Sequence, residues 1–242
     1  MLENVVKFYE NYDEDGRLFR DKAHMVEYLT TIHYFDRLFM PNSRILDSCA
    51  GTGRYSFYLA DKGHIVTACD LVKYNVDIIK SKPDSYKLAD IAVCNVLDMP
   101  QFEKNSFDIV LCMGALYHLD SSGLKEKAVS ECTRVCKSGG IVVLTYIFDY
   151  PERRIKHPEH NIYDGIFFRS TPRETEDIAS KCGLEKVYSI GADGITDNAG
   201  IELKEMSNED FEKDMEQYYL TCEDESIIAI STHGLYIGKK KG

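Results

Sequence analysis

No run of eighteen uncharged apolar residues occurs in the 242-residue chain, so nothing in it reads as a membrane-spanning helix. The first residues, MLENVVKFYENYDEDG, lack the basic start, apolar stretch and small-residue cleavage site of an export signal; the expectation is a soluble, cytoplasmic protein with no membrane partner. Basic charge is scarce: 29 Lys and Arg stand against 40 Asp and Glu, a formal net charge of −11. The one basic run, Lys239 to Lys241, reads as a solvated tail. Nucleic acid, whose phosphates need clustered cations, is therefore not an expected partner. The eight cysteines include no CxxC pair and mostly sit inside apolar runs, as buried thiols of a reducing compartment do. Cys132 and Cys136, four apart on a helix face, lack the further ligands of a metal site, and His157 and His160 beside Glu159 in KHPEH read as an irregular surface loop, so no metal is expected. Tryptophan is absent while tyrosine is plentiful, at 16, which suits a pocket with polar-tipped aromatic walls.

What is present is an alternation. Seven apolar runs of strand length, SRILDSC, HIVTACD, YKLADIAVCNV, FDIVLCMG, GGIVVLTYIF, LEKVYSIG and SIIAISTHGLYIG, are separated by helix-like segments. Such an order predicts an α/β fold, a mainly parallel sheet wound on both faces. In STPRETEDIASKCG, Thr171 is a cap, Pro172 suits the first helical position, Glu174 completes a capping box and Gly183 supplies the stop. In SGLKEKAVSECTRVCKSGG, a stripe of Leu124, Ala128, Cys132 and Val135 is expected to end at Gly139 and Gly140. Residues 1–41 form a leader in which Met25, Tyr28, Ile32, Phe35 and Phe39 recur at helical spacing. Ahead of them FYENYDEDGRLFR is aromatic and charged, placed to cover a pocket mouth. A core over 42–148 follows, with two stretches, 149–170 and 191–225, too long for simple connections; the second holds a helix after Ser207. No repeat or linker divides the chain.

RILDSCAGTGRYSFYLADKG carries the chemistry. If RILD is a strand, Gly51 and Gly53 lie outside its carboxyl end, where a parallel sheet binds ligands, and open a helix whose free N–H groups favour a carboxylate or phosphate. Asp70, at the end of the second apolar run, is placed to accept hydrogen bonds from ribose hydroxyls; it also suits a helix cap, and the two roles are compatible. GTGRYS departs from the dinucleotide fingerprint G-x-G-x-x-G/A at Ser56. Asp47 ahead of the turn would repel a pyrophosphate and attract a ligand bearing an ammonium group.

These residues resemble the class I S-adenosylmethionine-dependent methyltransferases, small-molecule branch, over most of the chain. ILDSCAGTG matches the family's hydrophobic-L-D-x-G-x-G-x-G at Asp47, Gly51 and Gly53, with Cys49 for the first glycine. Asp70 in VTACDL stands where the family binds ribose, with Leu71 after it. CNVLDMP resembles G-D-A-x-D-L-P, with Asn95 in place of the acid near adenine and Val96 beside it. NSFDIVLCMGALYHL resembles the fourth-strand motif, with Met113 and Gly114 lining the cofactor pocket, and ECTRVCKSGG is close to R-V-L-K-P-G-G, with Ser138 for Pro. The resemblance implies a seven-stranded Rossmann-like sheet whose last strand is antiparallel, in a hairpin with strand six. It also implies S-adenosylmethionine as cofactor, S-adenosylhomocysteine as product and a small-molecule methyl acceptor.

Because the sulfonium already activates the methyl, the protein's task is orientation and water exclusion, with a base only where the acceptor must lose a proton. Tyr117 and His118, after strand four, are the candidates beside the methyl; packing roles for both stay open. In the leader, Tyr9, Tyr12, Arg17 and Arg20 are placed to close over the cofactor, with Tyr12 and Arg20 counted among its contacts and an arginine meeting its carboxylate. The two long insertions and the leader are expected to shape the acceptor pocket. A binding protein that holds the cofactor or its product without turnover, and a nicotinamide-dependent oxidoreductase, stay open as alternatives; the acceptor and the oligomeric state are not legible.

Overall fold

The apolar runs become strands with buried flanks on both faces. β1 (Arg44–Asp47), β2 (Ile65–Asp70), β3 (Asp90–Val93), β4 (Phe107–Cys112) and β5 (Cys136–Ile147) are mutually parallel. β6 (Leu184–Gly191) and β7 (His233–Lys240) complete the sheet in the order β3-β2-β1-β4-β5-β7-β6, with β7 antiparallel to both neighbours. This computed structural model describes residues 2–148, 165–194 and 196–242. Successive β1 side chains enter opposite layers: Ile45 belongs to one core cluster and Leu46 to the other.

Helices cover both layers. On one face lie α2 (Lys22–Leu38) and α3 (Arg54–Asp61), and α4 (Lys73–Ser81) sends Ile79 into the same cluster. On the other lies α5 (Ser122–Val135), followed in the chain by α6 (Pro172–Lys181). The short α1 (Leu2–Tyr9) precedes α2 in the leader. α6 starts as expected, with Thr171 Oγ1 accepting from the Glu174 N–H at 3.1 Å. The Glu174 carboxylate turns to Ser122 and Lys125 of α5, so the acid of the expected capping box ties two helices together.

Three expectations are corrected. α5 ends at Val135 and β5 begins at the next residue, so Gly139 and Gly140 belong to the strand. The register jumps from Phe107 opposite Cys136 to Ile109 opposite Ile141, and residues 137–140 bow out. A Cβ on Gly140 would lie 2.6 Å from the Asp108 carbonyl oxygen, which is why glycine stands there. The run SIIAISTHGLYIG divides: Glu225–Ile230 is a helix, and only His233 onward is β7. A four-residue apolar run carries too little period to separate helix from strand. β6 and β7 pair antiparallel as expected, with residues 192–232 between them holding α7 (Thr196–Glu205), α8 (Asn208–Tyr219) and α9 (Glu225–Ile230). α8 is the helix expected after Ser207, which caps it; α7 gave no sequence signal. Lastly, the buried stripe of α2 is Val26, Thr30, Thr31, Tyr34 and Phe35, with Met25 and Ile32 on its margin and Tyr28 part-exposed. α2 is held between the sheet and α7 and α8, so two sides are buried; Thr31 bonds its own helix at the Glu27 carbonyl.

Candidate cofactor and acceptor site

The turn after β1 is held by neighbouring strands: the Ser48 N–H donates to the Leu111 carbonyl and the Ala50 N–H to the Cys69 carbonyl. Gly51 has φ +54 and Gly53 φ +87, conformations that L side chains rarely adopt. Asp70 ties the end of β2 to this turn. Its carboxylate accepts from the Gly51 N–H and the Val72 N–H, each at 2.8 Å, and from Asn75 Nδ2 at 3.3 Å. Burial pushes its pKa up to about 6 against the pull of the two backbone donors. Beside it Asn75 Oδ1 is buried with no hydrogen-bond partner among the described residues.

A cleft opens here, at the carboxyl ends of β1, β2 and β4. Of the sequence candidates, Cys49 and Gly51 line it from the turn, Asp70 and Leu71 from β2, Asn95 and Val96 after β3, and Met113, Gly114, Tyr117 and His118 after β4. Asn95 spends its side-chain oxygen on the Leu97 N–H at 3.0 Å, an Asx turn. A second chamber adjoins it, sharing Glu14, Cys49, Gly51, Met113 and Tyr117 as walls and reaching Arg17, Glu27 and Thr145. An orphaned amide oxygen, a carboxylate on the turn and a joined second chamber suit a ligand with a nucleoside at one end and charged groups at the other.

Four candidates line neither chamber. The Asp47 carboxylate, 2 % exposed, turns away to α3 and accepts from Ser56 Oγ at 2.6 Å; burial pushes it up to about 7. Attraction of a ligand ammonium to Asp47 is therefore corrected to a tie between β1 and α3. Gly53 is a packing glycine: a Cβ there would stand 3.0 Å from Phe57 and 3.2 Å from Ile79. Tyr12 stacks on Phe8 at 5.1 Å, and Arg20 is exposed beside it. The leader instead offers Val5, Tyr9 and Glu14 to the cleft and Arg17 to the second chamber. Tyr9 and Arg17 lay in the segment expected to cover the mouth. Glu14 lay in that segment too, while Val72, Asn75, Leu97 and Leu119 carried no signal beyond standing next to motif residues.

His118 closes the cleft with the leader. Its Nδ1 lies 2.8 Å from the Ile166 carbonyl, which only accepts, so Nδ1 carries the proton and Nε2 accepts from the Tyr9 hydroxyl at 3.0 Å. Burial pushes the imidazole down to about 4, so it is neutral at physiological pH. Burial likewise raises the Tyr117 phenol, and its ring stacks on Phe167, 5.9 Å away, which also packs on His118. The Phe168 N–H donates to the Tyr117 carbonyl, joining residues 165–168 to this wall. His157 and His160, and residues 149–164 of the first long stretch, lie outside the described residues; no described residue of 191–225 lines either chamber. No helix among the described residues is long and apolar enough to cross a membrane.

Residues 46–144 match the family model of the methyltransferase domain. A ubiquinone biosynthesis O-methyltransferase of Coxiella burnetii is 24% identical over 204 residues, 82% of this chain and 84% of that protein. A Mus musculus protein named for tRNA methylation is 25% identical over 117 residues, 48% of this chain and 24% of its own length. Among solved structures, an S-adenosylmethionine-dependent methyltransferase of Thermotoga maritima superposes over 100% of both chains with TM-score 0.64 at 19% identity, a likeness of fold.

Proposed function

We propose that the chain is a class I S-adenosylmethionine-dependent methyltransferase that methylates a small molecule held between the leader and the loop after β4, a reading supported by the methyltransferase-domain match over residues 46–144 and by the relatives named above. When bound, the cofactor supplies a methyl group already activated on a sulfonium. The residues proposed to hold it divide by chamber: Asp70 takes the ribose hydroxyls, Leu71, Asn95 and Val96 flank the base, and Gly51, Met113 and Gly114 bring backbone close to the sulfur end. Cys49 completes that wall, and Arg17 faces the carboxylate from the second chamber.

The rest of the chemistry falls to orientation and exclusion of water. Tyr9, donating to His118 Nε2, latches the leader over the cleft; Tyr117 packs the wall on the acceptor side. Where the acceptor gives up a proton, the neutral Nε2 of His118 is the base that receives it, once Tyr9 yields that position. Asp70 carries this reading: a buried carboxylate bonded to the Gly51 N–H, on the rim of a cleft that ends in a neutral histidine. A small acceptor is favoured over RNA by the net charge of −11 and by the leader's cover.

Calorimetric titration tests it. S-adenosylhomocysteine should bind, and NAD should not; the reverse pattern would sink the reading. Binding with no transfer to any of a broad panel of phenols, amines and thiols would leave a cofactor-holding protein without turnover.

A further inference from the structure

Behind the second chamber, charged side chains from four separate segments meet. Arg17 gives Nη1 to Glu27 Oε2 at 2.8 Å, Nη2 to Glu27 Oε1 at 3.3 Å and Nε to Glu14 Oε1 at 3.4 Å. The other side of Glu27 meets the first residue of β7: His233 Nδ1 lies 3.8 Å from Glu27 Oε2. Asp193, just beyond β6, takes both the His233 N–H at 2.9 Å and Nδ1 at 2.6 Å. His24 adds its field to Glu27 from the first turn of α2 but is itself bound to Asp21 at 2.7 Å. Glu14, Arg17 and Glu27 line the second chamber; His233 and Asp193 do not.

We propose that His233 is a positioning residue for the amino-acid end of the cofactor, setting through Glu27 how far the Arg17 guanidinium is free to serve a ligand carboxylate. This rests on the reading that the two chambers take S-adenosylmethionine and its product. A guanidinium has five N–H donors; three of Arg17's are committed to Glu27 and Glu14. While His233 is charged, Glu27 lies between two cations and shares its field. Once His233 is neutral, Glu27 keeps its negative charge, Arg17 alone faces it, and the cation is drawn inward from the ligand side.

The groups around His233 decide the sign. Burial lowers its pKa, Glu27 and Asp193 raise it, Arg17 lowers it, and the balance is upward from the ordinary histidine value. Glu27 itself, despite burial, is held at about 2 by Arg17 and His233, so it stays ionised throughout. The imidazole, raised from its ordinary value, is then a group of this network whose charge follows pH, and its deprotonation weakens the ligand site; Glu14, the other partner of Arg17, is also raised by burial, but it does not touch His233. Asp70 works in the other direction, since its ionisation favours the ribose; its influence is spent above about pH 7.

Two probes separate the ends of the cleft. S-adenosylhomocysteine carries the amino-acid group; 5′-methylthioadenosine has the nucleoside and sulfur without it. Calorimetric affinities from about pH 6 to about pH 9 should show the ratio of the two falling about fivefold as His233 loses its proton, and staying flat in His233→Gln. The introduced amide keeps a neutral donor toward Asp193, and the backbone N–H bond survives. Reciprocity gives a second readout in the unaltered protein: S-adenosylhomocysteine should raise the His233 pKa followed by NMR of its ring carbon, and 5′-methylthioadenosine should not. If the ratio is independent of pH in the wild type, or if both probes move the His233 resonance alike, the proposal is overturned. If neither probe binds at any pH, the cofactor reading has failed instead.

Discussion

Asp70 does two jobs that its chemistry joins. With one oxygen on the Gly51 N–H and the other on the Val72 N–H, it shapes the turn, and in the proposed reading its ionised form is the acceptor for the ribose diol. Asp70→Asn sets an amide NH2 against one of those two backbone N–H groups and so loses one turn bond and one acceptor; S-adenosylhomocysteine should bind about tenfold more weakly or worse by calorimetry. In the wild type, affinity should rise from about pH 5 to pH 7 as the raised carboxyl ionises; that rise should be absent in the variant. Asp47 predicts a stability effect instead. Its folded pKa of about 7 lies above the usual carboxylate value near 4, so the folded chain holds a proton that the unfolded chain has released. Stability from this group is present at low pH and is lost as pH rises through 7. Asp47→Asn still offers an oxygen to Ser56, and its melting temperature relative to wild type should climb between about pH 5 and pH 8; a constant difference would refute the assignment. Cys49 has no positive φ, so glycine is not required there. Cys49→Gly should leave cofactor affinity unchanged and cost about 0.5–1 kcal/mol of stability in a denaturant titration. At this scale the motif residues were legible by location, since the turn and the ends of β2, β3 and β4 must face one cleft. The direction a side chain takes was not: Asp47 and Gly53 sit in the same motif as Gly51 yet serve α3.

Between elements, what matters is how the leader is held. α1 touches the site through Tyr9, and its hydroxyl bond to His118 is a contact across 109 residues of sequence. Tyr9→Phe keeps the ring that packs edge-on to His118 and removes only the O–H. Kinetics should show KM for the cofactor rising by about fivefold, from a net hydrogen bond of about 1 kcal/mol, with the fold's melting temperature within a few degrees of wild type. An unchanged KM would mean that the leader closes without this latch. The seven strand positions and most of the helices were readable because parallel buried strands are short apolar runs and helices carry caps. The misreadings cluster where two signals overlap. At Val135–Cys136 helix and strand abut with no turn residue between them, so the later glycine pair looked like the stop. In ESIIAI the apolar run continues toward β7, and the buried side of α2 depends on α7 and α8, which follow it by more than 150 residues.

Over the whole molecule, charge and topology act together on what can reach the site. The cleft mouth is covered by a leader that brings Glu14 to it, and Asp70 stands inside; the chain's surplus of acids reinforces that sign. A polyanion approaching this face would release few counterions, because binding strength from that source scales with the cations that meet phosphates. Unmodified tRNA should therefore show no shifted band in an electrophoretic mobility assay at about 50 mM salt, and no steep loss of any residual binding as salt is raised. A salt slope equivalent to several phosphate contacts would overturn the small-acceptor reading and give weight to the relative named for tRNA methylation, whose match spans 48% of this chain. The same surplus of acid predicts the direction of selectivity among small acceptors: at equal size, neutral or cationic molecules should be admitted faster than anionic ones, and the difference should shrink as added salt screens the mouth. Rates measured with a matched neutral and carboxylated pair at low and high salt decide it, since a preference that salt leaves untouched would lie in the walls around Tyr117 and His118 and not in the charge of the molecule.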